Sequence, residues 1–236
     1  MITLDIISDP ICPWCYIGKT ELDRALAAHP DHPFELRWRP FQLNPDMPPE
    51  GMDRQEYLEA KFGGPEAAAD VYGRIADAAK ESGLEIDFSR IPRTPSTLDA
   101  HRLIRWARLE EAQTPVVDAL FRRYFEDGAD ISDPDVLVGI AEEAGMEGDM
   151  VRALLTSEAD AAEVQEEFDA AREIGVSGVP TFLVGGKYVI QGCQKQQTWS
   201  DMIEDILRLM AGDPMLQAAN DDGPVKGASA QGAAED

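Results

Sequence analysis

The sequence predicts an α/β protein in which a small sheet is interrupted by an all-helical insertion. Strand-like patterns occur only within residues 1–41 and 181–191, whereas the long stretch between them has helical periodicity. A Cys-Pro-Trp-Cys motif also stands between the first strand pattern and the first helix pattern. These observations predict one domain made of residues 1–52 and 158–211, with residues 53–157 inserted as a helical block.

The first segment has the order strand, helix, strand. Residues 2–7 are rich in β-branched side chains and predict a strand. Pro13 suits the first turn of a helix, where the N–H that proline lacks would have no partner, and apolar residues follow helical spacing over 14–28. Residues 34–41 alternate apolar and polar side chains, which predicts a second strand. A βαβ unit of this kind places its two strands parallel in one sheet.

The insertion follows a proline-rich loop at residues 42–52. Helical spacing predicts six helices in it, at residues 53–62, 65–82, 96–112, 115–127, 133–144 and 147–155. The second segment predicts a helix at 158–173, a β-hairpin at 181–191 that turns at Gly185-Gly186, and a last helix at 196–211. Residues 212–236, rich in Gly, Ala and Asp, predict a disordered, acidic tail.

The charge of the chain restricts its partners. The 45 acidic and 21 basic residues give a net charge of −24, which disfavours binding to nucleic acids and to anionic membranes, since both need a basic face. No apolar run approaches the roughly 18 residues that would cross a bilayer, and the first residues lack the pattern of a signal peptide. We therefore expect a cytoplasmic protein that has neither nucleic acid nor membrane as a partner.

The two cysteines of the motif predict a disulfide-exchange centre. Structural disulfides are rare in the cytosol, so paired cysteines there are more often redox-active or metal-binding. If Cys12 ends the loop and Pro13 opens the helix, the Cys12 sulfur lies over the unpaired N–H groups and the positive dipole end of the helix, which favour the thiolate. We expect Cys12 to be an exposed attacking thiol and Cys15, one turn inside, to be a sheltered resolving thiol.

Two other interpretations of the pair stay open from the residues alone. One is half of a zinc site, which would need Cys193 and one of His29, His32 or His101 to converge on the pair. The other is two incidental core cysteines. The zinc interpretation lacks a second ligand pair at short spacing, so we expect no metal site.

A second motif, GVSGVPTF at residues 175–182, places Pro180 immediately before the hairpin. A trans proline at the start of an edge strand is one interpretation, because only about 5–6% of X-Pro bonds in folded proteins are cis. The other is a cis Val179–Pro180 bond beside the cysteines, which would turn the Val179 backbone outward to pair with an extended peptide. Pro13, Trp14, Val179 and Pro180 would then form the substrate-binding surface.

Together the motifs resemble a known family. The stretches that carry the resemblance are DPICPWCYIGK from residue 9, TLDAHRLIRWA at 97–107 and GVSGVPTFLVGGKYVIQGCQ from residue 175. They resemble the DsbA-like thioredoxin family and, within it, the cytoplasmic FrnE-like branch, which is related to 2-hydroxychromene-2-carboxylate isomerases. The resemblance spans about residues 1–211 and implies a thioredoxin-like fold (βαβ–ββα) with thiol–disulfide oxidoreductase activity. It implies Cys12 and Cys15 as the redox pair and Pro180 as a cis-proline.

Two departures from the family pattern bear on activity. The isomerases and their glutathione-transferase relatives generally carry serine where Cys12 stands and bind glutathione. Cys12 therefore disfavours their chemistry, although a groove for glutathione would be compatible with the fold. Periplasmic DsbA typically has histidine where Trp14 stands. The tryptophan removes a titratable group beside the thiolate, and we expect a weaker oxidant than periplasmic DsbA.

Two residues near the motifs have alternative roles. If Thr181 pairs with Ile190 in the hairpin, the chain returns Cys193 toward the active-site edge. Cys193 is then an auxiliary thiol or, alternatively, a small buried apolar residue. Trp14 is either a stacking surface for substrate or an aromatic side chain packed on the insertion.

Polar residues of the helix predicted at 96–112 also have two interpretations. His101 is either a proton relay that faces the site or a hydrogen-bonded structural histidine. Arg102 and Arg105 either bind a substrate carboxylate or form salt bridges within this acidic chain.

The sequence thus supports three functions. The first, which the paired motifs favour, is a dithiol oxidoreductase that exchanges a Cys12–Cys15 disulfide with protein substrates or small thiols. It needs no dissociable cofactor, although glutathione is a compatible ligand. The second is a glutathione-dependent isomerase or transferase, whose activity would survive without Cys15. The third is a binding module that holds zinc or a client protein. We expect a monomer or a homodimer.

Overall fold

The structure is a computed structural model that describes residues 1–212. Its main sheet has four strands in the order β2-β1-β5-β6, namely β1 (Ile2–Ser8), β2 (Phe34–Pro40), β5 (Thr181–Val184) and β6 (Tyr188–Gln191). Helix α1 (Pro13–Ala28) connects β1 to β2, and these strands lie parallel, as the βαβ pattern predicts. Apart from Gly212, the predicted tail lies outside the described residues.

Strand β1 lies at the centre of the sheet. It pairs in parallel with β2 along its whole length and antiparallel with β5 from Leu4 to Ile7. Leu4 and Ile6 are fully buried in the main core, and Ile7 belongs to a second apolar cluster with Phe41. Because β1 ends at Ser8 between two partner strands, the cysteine motif that follows emerges from the middle of the sheet.

The hairpin of β5 and β6 is present, but its predicted register is wrong by one residue. Thr181 pairs with Gln191 and not with Ile190. Gly185 and Gly186 form the turn with φ values of 59° and 68°, which glycine adopts readily. The strand ladder resumes only at Tyr188, so Lys187 is an extra residue in the connection and shifts the register.

The chain between β2 and β5 is mostly helical, and each predicted helix is present with shifted ends. The α-helices are α2 (Arg54–Phe62), α3 (Pro65–Glu81), α4 (Leu98–Ala107), α5 (Gln113–Phe125), α6 (Pro134–Glu143), α7 (Gly148–Leu155) and α8 (Ala161–Glu173), and α9 (Gln196–Met210) follows the hairpin. The helix predicted for 96–112 continues beyond α4 as a 3₁₀ turn, Arg108–Glu110, and another 3₁₀ turn spans Phe88–Arg90. Within residues 1–212, no helix has both the length and the apolar surface needed to cross a bilayer.

The insertion is not all-helical, which corrects the prediction. Strands β3 (Met52–Asp53) and β4 (Arg93–Thr94) form a separate antiparallel pair. Each has two residues, too few for an alternating pattern to indicate a strand. Asp53 also caps α2, because its carboxylate accepts the N–H groups of Gln55 at 2.8 Å and Glu56 at 3.2 Å. This pair of strands therefore fixes the start of α2.

The insertion and the cysteine motif share one apolar core. Tyr16, which follows Cys15 on α1, stacks on Phe121 and Phe125 of α5 with ring centroids 5.1 and 5.7 Å apart. Both phenylalanines are fully buried. The Tyr16 hydroxyl donates to Glu126 at 2.6 Å. The start of α1 is therefore held directly against the insertion.

Candidate active site

The cysteine motif occupies the turn between β1 and α1, and Cys12 is the N-cap residue of the helix. Its backbone is extended (φ −86°, ψ 113°), and its carbonyl oxygen accepts the N–H groups of Cys15 at 3.1 Å and Tyr16 at 3.2 Å. Pro13 is the first helical residue. The unpaired N–H groups and the positive dipole end of α1 therefore lie directly behind Cys12, as the spacing predicts.

The Cys12 thiol is enclosed, and the expectation of an exposed attacking thiol is wrong for this dithiol form. Only 4% of Cys12 is exposed to solvent. Its Sγ donates to the carbonyl oxygen of Val179 at 3.6 Å, and the Val179–Pro180 peptide bond is cis. The loop before β5 therefore packs over the sulfur, and an incoming group must approach Cys12 at the contact with Val179.

Cys15 lies deeper, and its environment disfavours ionisation. Both cysteines are free thiols, and Cys15 is 2% exposed. Burial raises the pKa of Cys15 well above its ordinary value, and the Cys12 thiol, within hydrogen-bonding reach, raises it further. Hydrogen bonds from the Asp9 backbone and the Ser8 hydroxyl act in the opposite direction. Cys15 is thus a protonated, sheltered thiol at neutral pH, as a resolving cysteine requires.

A buried aspartate that sequence reasoning missed, Asp9, holds this turn together. Its carboxylate accepts the N–H groups of Ile11 at 3.2 Å and Leu43 at 2.7 Å, and its carbonyl oxygen accepts the Cys12 N–H at 2.9 Å. Burial raises the pKa of Asp9 to about 7, although the bonds from Leu43 and Ile11 oppose the shift. One feature of the sequence could have indicated this role. Asp9 stands directly between an apolar strand and the cysteine motif, without a polar loop around it.

Cys193 lies beside the site, on the segment between β6 and α9. A Cβ atom built on Gly18 would lie 3.2 Å from Cγ of Pro180 and 3.7 Å from Sγ of Cys193, so α1, Pro180 and Cys193 pack closely. Burial, and after it the charge of Glu21, raises the pKa of Cys193 to about 11. The structure therefore brings Cys193 near the pair, but as a protonated and partly buried thiol. The close contact at Gly18 is another feature that the sequence did not indicate.

Trp14 packs on the insertion. Its half-buried ring joins an apolar cluster formed by Ile17 of α1 with Ile75 and Ala79 of α3. Pro13 and Val179 are also half-buried, whereas Pro180 is buried. Pro13, Trp14 and Val179 therefore contribute accessible surface near the buried cysteines.

Of the polar candidates on α4, His101 and Arg102 are buried and Arg105 is half-buried. His101 is 3% exposed, and its Nε2 donates to the carbonyl oxygen of Phe41 at 3.0 Å. Burial lowers the pKa of His101 to about 4, so the ring is neutral at physiological pH. Arg102 and Arg105 form ion pairs with acidic residues on or next to α4 and α8. On α4 the structure thus contains a hydrogen-bonded histidine and salt-bridged arginines.

The zinc interpretation has no geometric support in the part of the chain that the structure describes. No three His, Cys, Asp or Glu side chains there come together closely enough to hold a metal ion. His29 is the C-cap of α1, about 25 Å along the helix from Cys12 at a rise of 1.5 Å per residue.

The chain is similar to known sequences over most of its length. A sequence model described as a DSBA-like thioredoxin domain matches residues 3–204. The uncharacterized protein YwbO of Bacillus subtilis (strain 168) is 26% identical over 209 residues, which cover 86% of this chain and 96% of YwbO. Nearly the whole of YwbO therefore aligns with this chain.

Two solved structures are similar over most of the chain. The probable DsbA oxidoreductase SCO1869 from Streptomyces coelicolor is 30% identical with a TM-score of 0.78, covering 98% of this chain and 95% of that one. The cytosolic disulfide reductase DsbM from Pseudomonas aeruginosa is 18% identical with a TM-score of 0.64, covering 88% and 99%. DsbM has also been solved with GSH. At 18% identity, the likeness to DsbM shows a shared fold.

Proposed function

Because the chain belongs to the DsbA-like thioredoxin family, we propose that it is a thiol–disulfide oxidoreductase that exchanges its Cys12–Cys15 pair with protein or small-thiol substrates. One observation carries the proposal. Cys12 stands at the N-cap of α1, within reach of the buried Cys15 and in contact with the backbone before Pro180. This arrangement supplies an attacking thiolate, a resolving thiol and a docking edge for substrate.

In the reducing direction, the Cys12 thiolate attacks one sulfur of a substrate disulfide. A Cys12–substrate S–S bond forms, the substrate S–S bond breaks, and the second substrate sulfur leaves as a thiolate that takes up a proton. Cys15 then loses its proton, and its thiolate attacks the Cys12 sulfur and releases the remaining substrate sulfur. Two electrons pass from the cysteine pair to the substrate. The reverse sequence oxidises a substrate dithiol.

The protein contributes charge stabilisation and positioning to these steps. The N-terminus of α1 stabilises the Cys12 thiolate. Val179 contributes its backbone: within residues 1–212 its N–H donates no hydrogen bond, and its carbonyl oxygen binds only the Cys12 thiol. We place an extended substrate chain along Pro13, Trp14 and Val179, next to Pro180, where it pairs with the free N–H group of Val179.

The proposed compartment is the cytoplasm, and the proposed partners are protein disulfides and small thiols. The net charge of −24 disfavours nucleic acids and anionic membranes. DsbM, a cytosolic disulfide reductase with the same fold, has been solved with GSH, which supports a small thiol as one substrate here. The proposed chemistry requires no cofactor besides the cysteine pair.

Cysteine substitutions test the proposal. We expect Cys12→Ser to lower the rate of insulin reduction with dithiothreitol by about 1000-fold or more, because the nucleophile is removed. Cys15→Ser should instead accumulate a Cys12–substrate mixed disulfide, detectable by mass spectrometry, because nothing resolves it. Full dithiol exchange by Cys12→Ser would refute the proposal. Full turnover by Cys15→Ser with glutathione would favour the isomerase or transferase alternative.

A further inference from the structure

Gly18 lies inside helix α1, at a position where the backbone does not require glycine. Its φ is outside the left-handed region that favours glycine, and it follows Cys15 by about one helical turn. Glycine in a helix interior is less stable than alanine, because it loses more conformational freedom on folding. Gly18 is nevertheless buried in the middle of α1. The absence of a side chain here therefore requires an explanation from the surroundings.

A side chain at Gly18 would meet the loop before β5. A Cβ atom built there would lie 3.2 Å from Cγ of Pro180, closer than the roughly 3.5–4.0 Å of an ordinary contact between carbon atoms. It would also lie 3.6 Å from Cα and 3.7 Å from Sγ of Cys193. By contrast, a Cβ atom at Gly139 of α6 would have no neighbour within 4 Å in the described part of the chain. The missing side chain at Gly18 is therefore what lets Pro180 close on α1.

The same loop contacts α1 a second time, at the reactive end of the helix. The carbonyl oxygen of Val179, the residue before Pro180, accepts a hydrogen bond from the Cys12 thiol at 3.6 Å. Gly18 follows Cys15 by three residues, a spacing that makes the two neighbours on the helix surface. Since Val179 and Pro180 are joined by one peptide bond, the position of Pro180 against Gly18 and the contact of Val179 with Cys12 are coupled.

Pro180 is anchored to the sheet on its C-terminal side. Its carbonyl oxygen accepts the N–H of Gly192 at 2.8 Å. The next residue, Thr181, is the first of β5 and pairs with both β1 and β6. Val179 lies outside the strand, and its N–H donates no hydrogen bond within residues 1–212. A side chain at position 18 would therefore displace the Val179 side of the loop and leave the strand in place.

We propose that Gly18 is a positioning residue for thiol–disulfide exchange, which holds the Val179 backbone at Cys12 by allowing Pro180 to approach α1. The inference rests on the oxidoreductase function proposed above and adds a determinant of substrate class. A polypeptide disulfide has to pair with the Val179 N–H while its sulfur reaches Cys12, whereas a small disulfide needs access to Cys12 alone. Gly18 thus favours polypeptide disulfides over small ones.

Gly18→Ala tests the proposal with two substrates, insulin and the small, neutral hydroxyethyl disulfide. The added methyl group should displace Val179 by a few tenths of an ångström and misalign a bound polypeptide with Cys12. We expect kcat/KM for insulin reduction to fall about tenfold and that for hydroxyethyl disulfide to change by less than about twofold. The ratio of the two values decides, because a loss of folded protein lowers both equally. An unchanged ratio would overturn the proposal.

Gly139→Ala is the matched control, because Gly139 also lies inside a helix but has open space where a Cβ atom would stand. We expect this variant to keep the wild-type ratio and to unfold at a higher urea concentration, since alanine has the higher helix propensity. Gly18→Ala should show no such gain in stability, because the contact with Pro180 opposes it. A gain for Gly18→Ala together with an unchanged ratio would mean that α1 accommodates the side chain, and the proposal would be wrong.

A second background, Pro180→Ala, keeps the test decisive if Gly18→Ala alone does not fold. Pro180→Ala removes the Cγ atom that a side chain at Gly18 would meet. It should itself lower insulin reduction, because it alters the docking loop, so the comparison is made within this background. There we expect Gly18→Ala to change the ratio of the two kcat/KM values by less than about twofold. A larger fall would mean that the added side chain acts elsewhere, which would overturn the proposal.

The two proposals fail in distinguishable ways. If the unmodified protein reduces neither insulin nor hydroxyethyl disulfide, the oxidoreductase function itself is wrong. If it reduces both, and folded Gly18→Ala lowers both values of kcat/KM equally or lowers neither, the positioning role of Gly18 is wrong while the oxidoreductase function stands.

Discussion

The cysteine turn, residues 8–16, and the polar cluster around Arg54 are built in different ways. We call the second group the donor cluster, and its members are linked by hydrogen bonds and cation–π contacts: Asn44, Arg54, Tyr57, Lys61, Tyr72 and Tyr124. The turn is one continuous stretch whose groups are set by its own backbone: Asp9 binds the N–H of Ile11 and of Cys12, and Cys12 caps the helix that carries Cys15. The donor cluster takes its residues from the loop after β2 and from three helices. Local chain geometry thus positions the Cys12 sulfur, whereas long-range packing brings the polar groups of the donor cluster together.

The two regions also differ in how the cost of a buried charged group is compensated. In the turn, burial raises the pKa of the Asp9 carboxyl group to about 7, although hydrogen bonds and the charge of Lys61 oppose the rise. Among residues 1–212, the half-buried Arg54 guanidinium of the donor cluster forms no ion pair and donates to the hydroxyls of Thr94, Tyr124 and Tyr72 instead. The cost of burying charge is thus reduced by protonation at Asp9 and by hydroxyl acceptors at Arg54.

The largest predicted effect concerns the buried charge of the turn. Because the pKa of Asp9 is about 7 in the folded state and near 3.8 when unfolded, the folded state binds more protons between these values. Stability is therefore lost as pH rises from 4 to above 7, by about 1.4 kcal/mol per unit and up to about 4 kcal/mol in total. We expect Asp9→Asn to lack this loss, so urea denaturation at pH 5 and pH 8 should show its relative stability improving with pH.

Asp87→Asn is the control for this measurement. Asp87 is exposed, and a hydrogen bond with Ser89 lowers its pKa, so its carboxylate is ionised throughout this range. The difference between Asp87→Asn and the wild-type protein should stay constant from pH 5 to pH 8. A constant difference for Asp9→Asn as well would mean that Asp9 is ionised in the fold at pH 5, and the contrast between the two regions would disappear.

The same contrast explains what the sequence predicts well. The N-cap role of Cys12, the helix opened by Pro13 and the parallel strands around it depend on neighbours within one βαβ unit. Spacing and proline chemistry therefore identify them. Cys12 is nevertheless enclosed, because Val179 lies 167 residues away in sequence and no local pattern reports its carbonyl oxygen.

Two further features were missed, one local and one long-range. The hairpin register is shifted because Lys187 is left out of the strand pairing, although Gly185-Gly186 form the turn as predicted. Arg54 appears in the sequence as one more charged residue at a helix start. Its importance emerges only when Tyr72 and Tyr124 reach it from two other helices. The donor cluster could therefore be identified only from the three-dimensional structure.

A smaller effect tests whether hydroxyl acceptors stabilise the buried charge of Arg54. Tyr72→Phe keeps the ring but removes the acceptor that Arg54 binds at 2.6 Å. We expect a loss of about 1.5–3 kcal/mol in the free energy of unfolding, the range for a hydrogen bond to a charged group. Chemical denaturation measures this effect.

Tyr188→Phe is the matched control, because Tyr188 is 52% exposed on the edge strand β6. It should leave the free energy of unfolding unchanged. If Tyr72→Phe is as stable as the wild-type protein, the bond from Arg54 to the Tyr72 hydroxyl does not stabilise the fold, and hydroxyl acceptors do not compensate the buried charge of Arg54.

The smallest predicted effect concerns Cys193. Its substitution tests whether thiol exchange is confined to Cys12 and Cys15. With a pKa of about 11, only about one in 10,000 of these thiols is ionised at pH 7, so Cys193 contributes almost no nucleophile. We expect Cys193→Ser, which keeps the size of the side chain, to change kcat/KM for insulin reduction by less than about twofold. Peptide mapping of the oxidised protein should show the Cys12–Cys15 disulfide alone. A tenfold loss of rate, or a disulfide between Cys193 and Cys12, would extend the reactive region to the segment after β6. Three thiols would then take part in exchange. The close packing of Gly18 against Pro180 and Cys193 would bring the third thiol to the other two, in addition to its structural role.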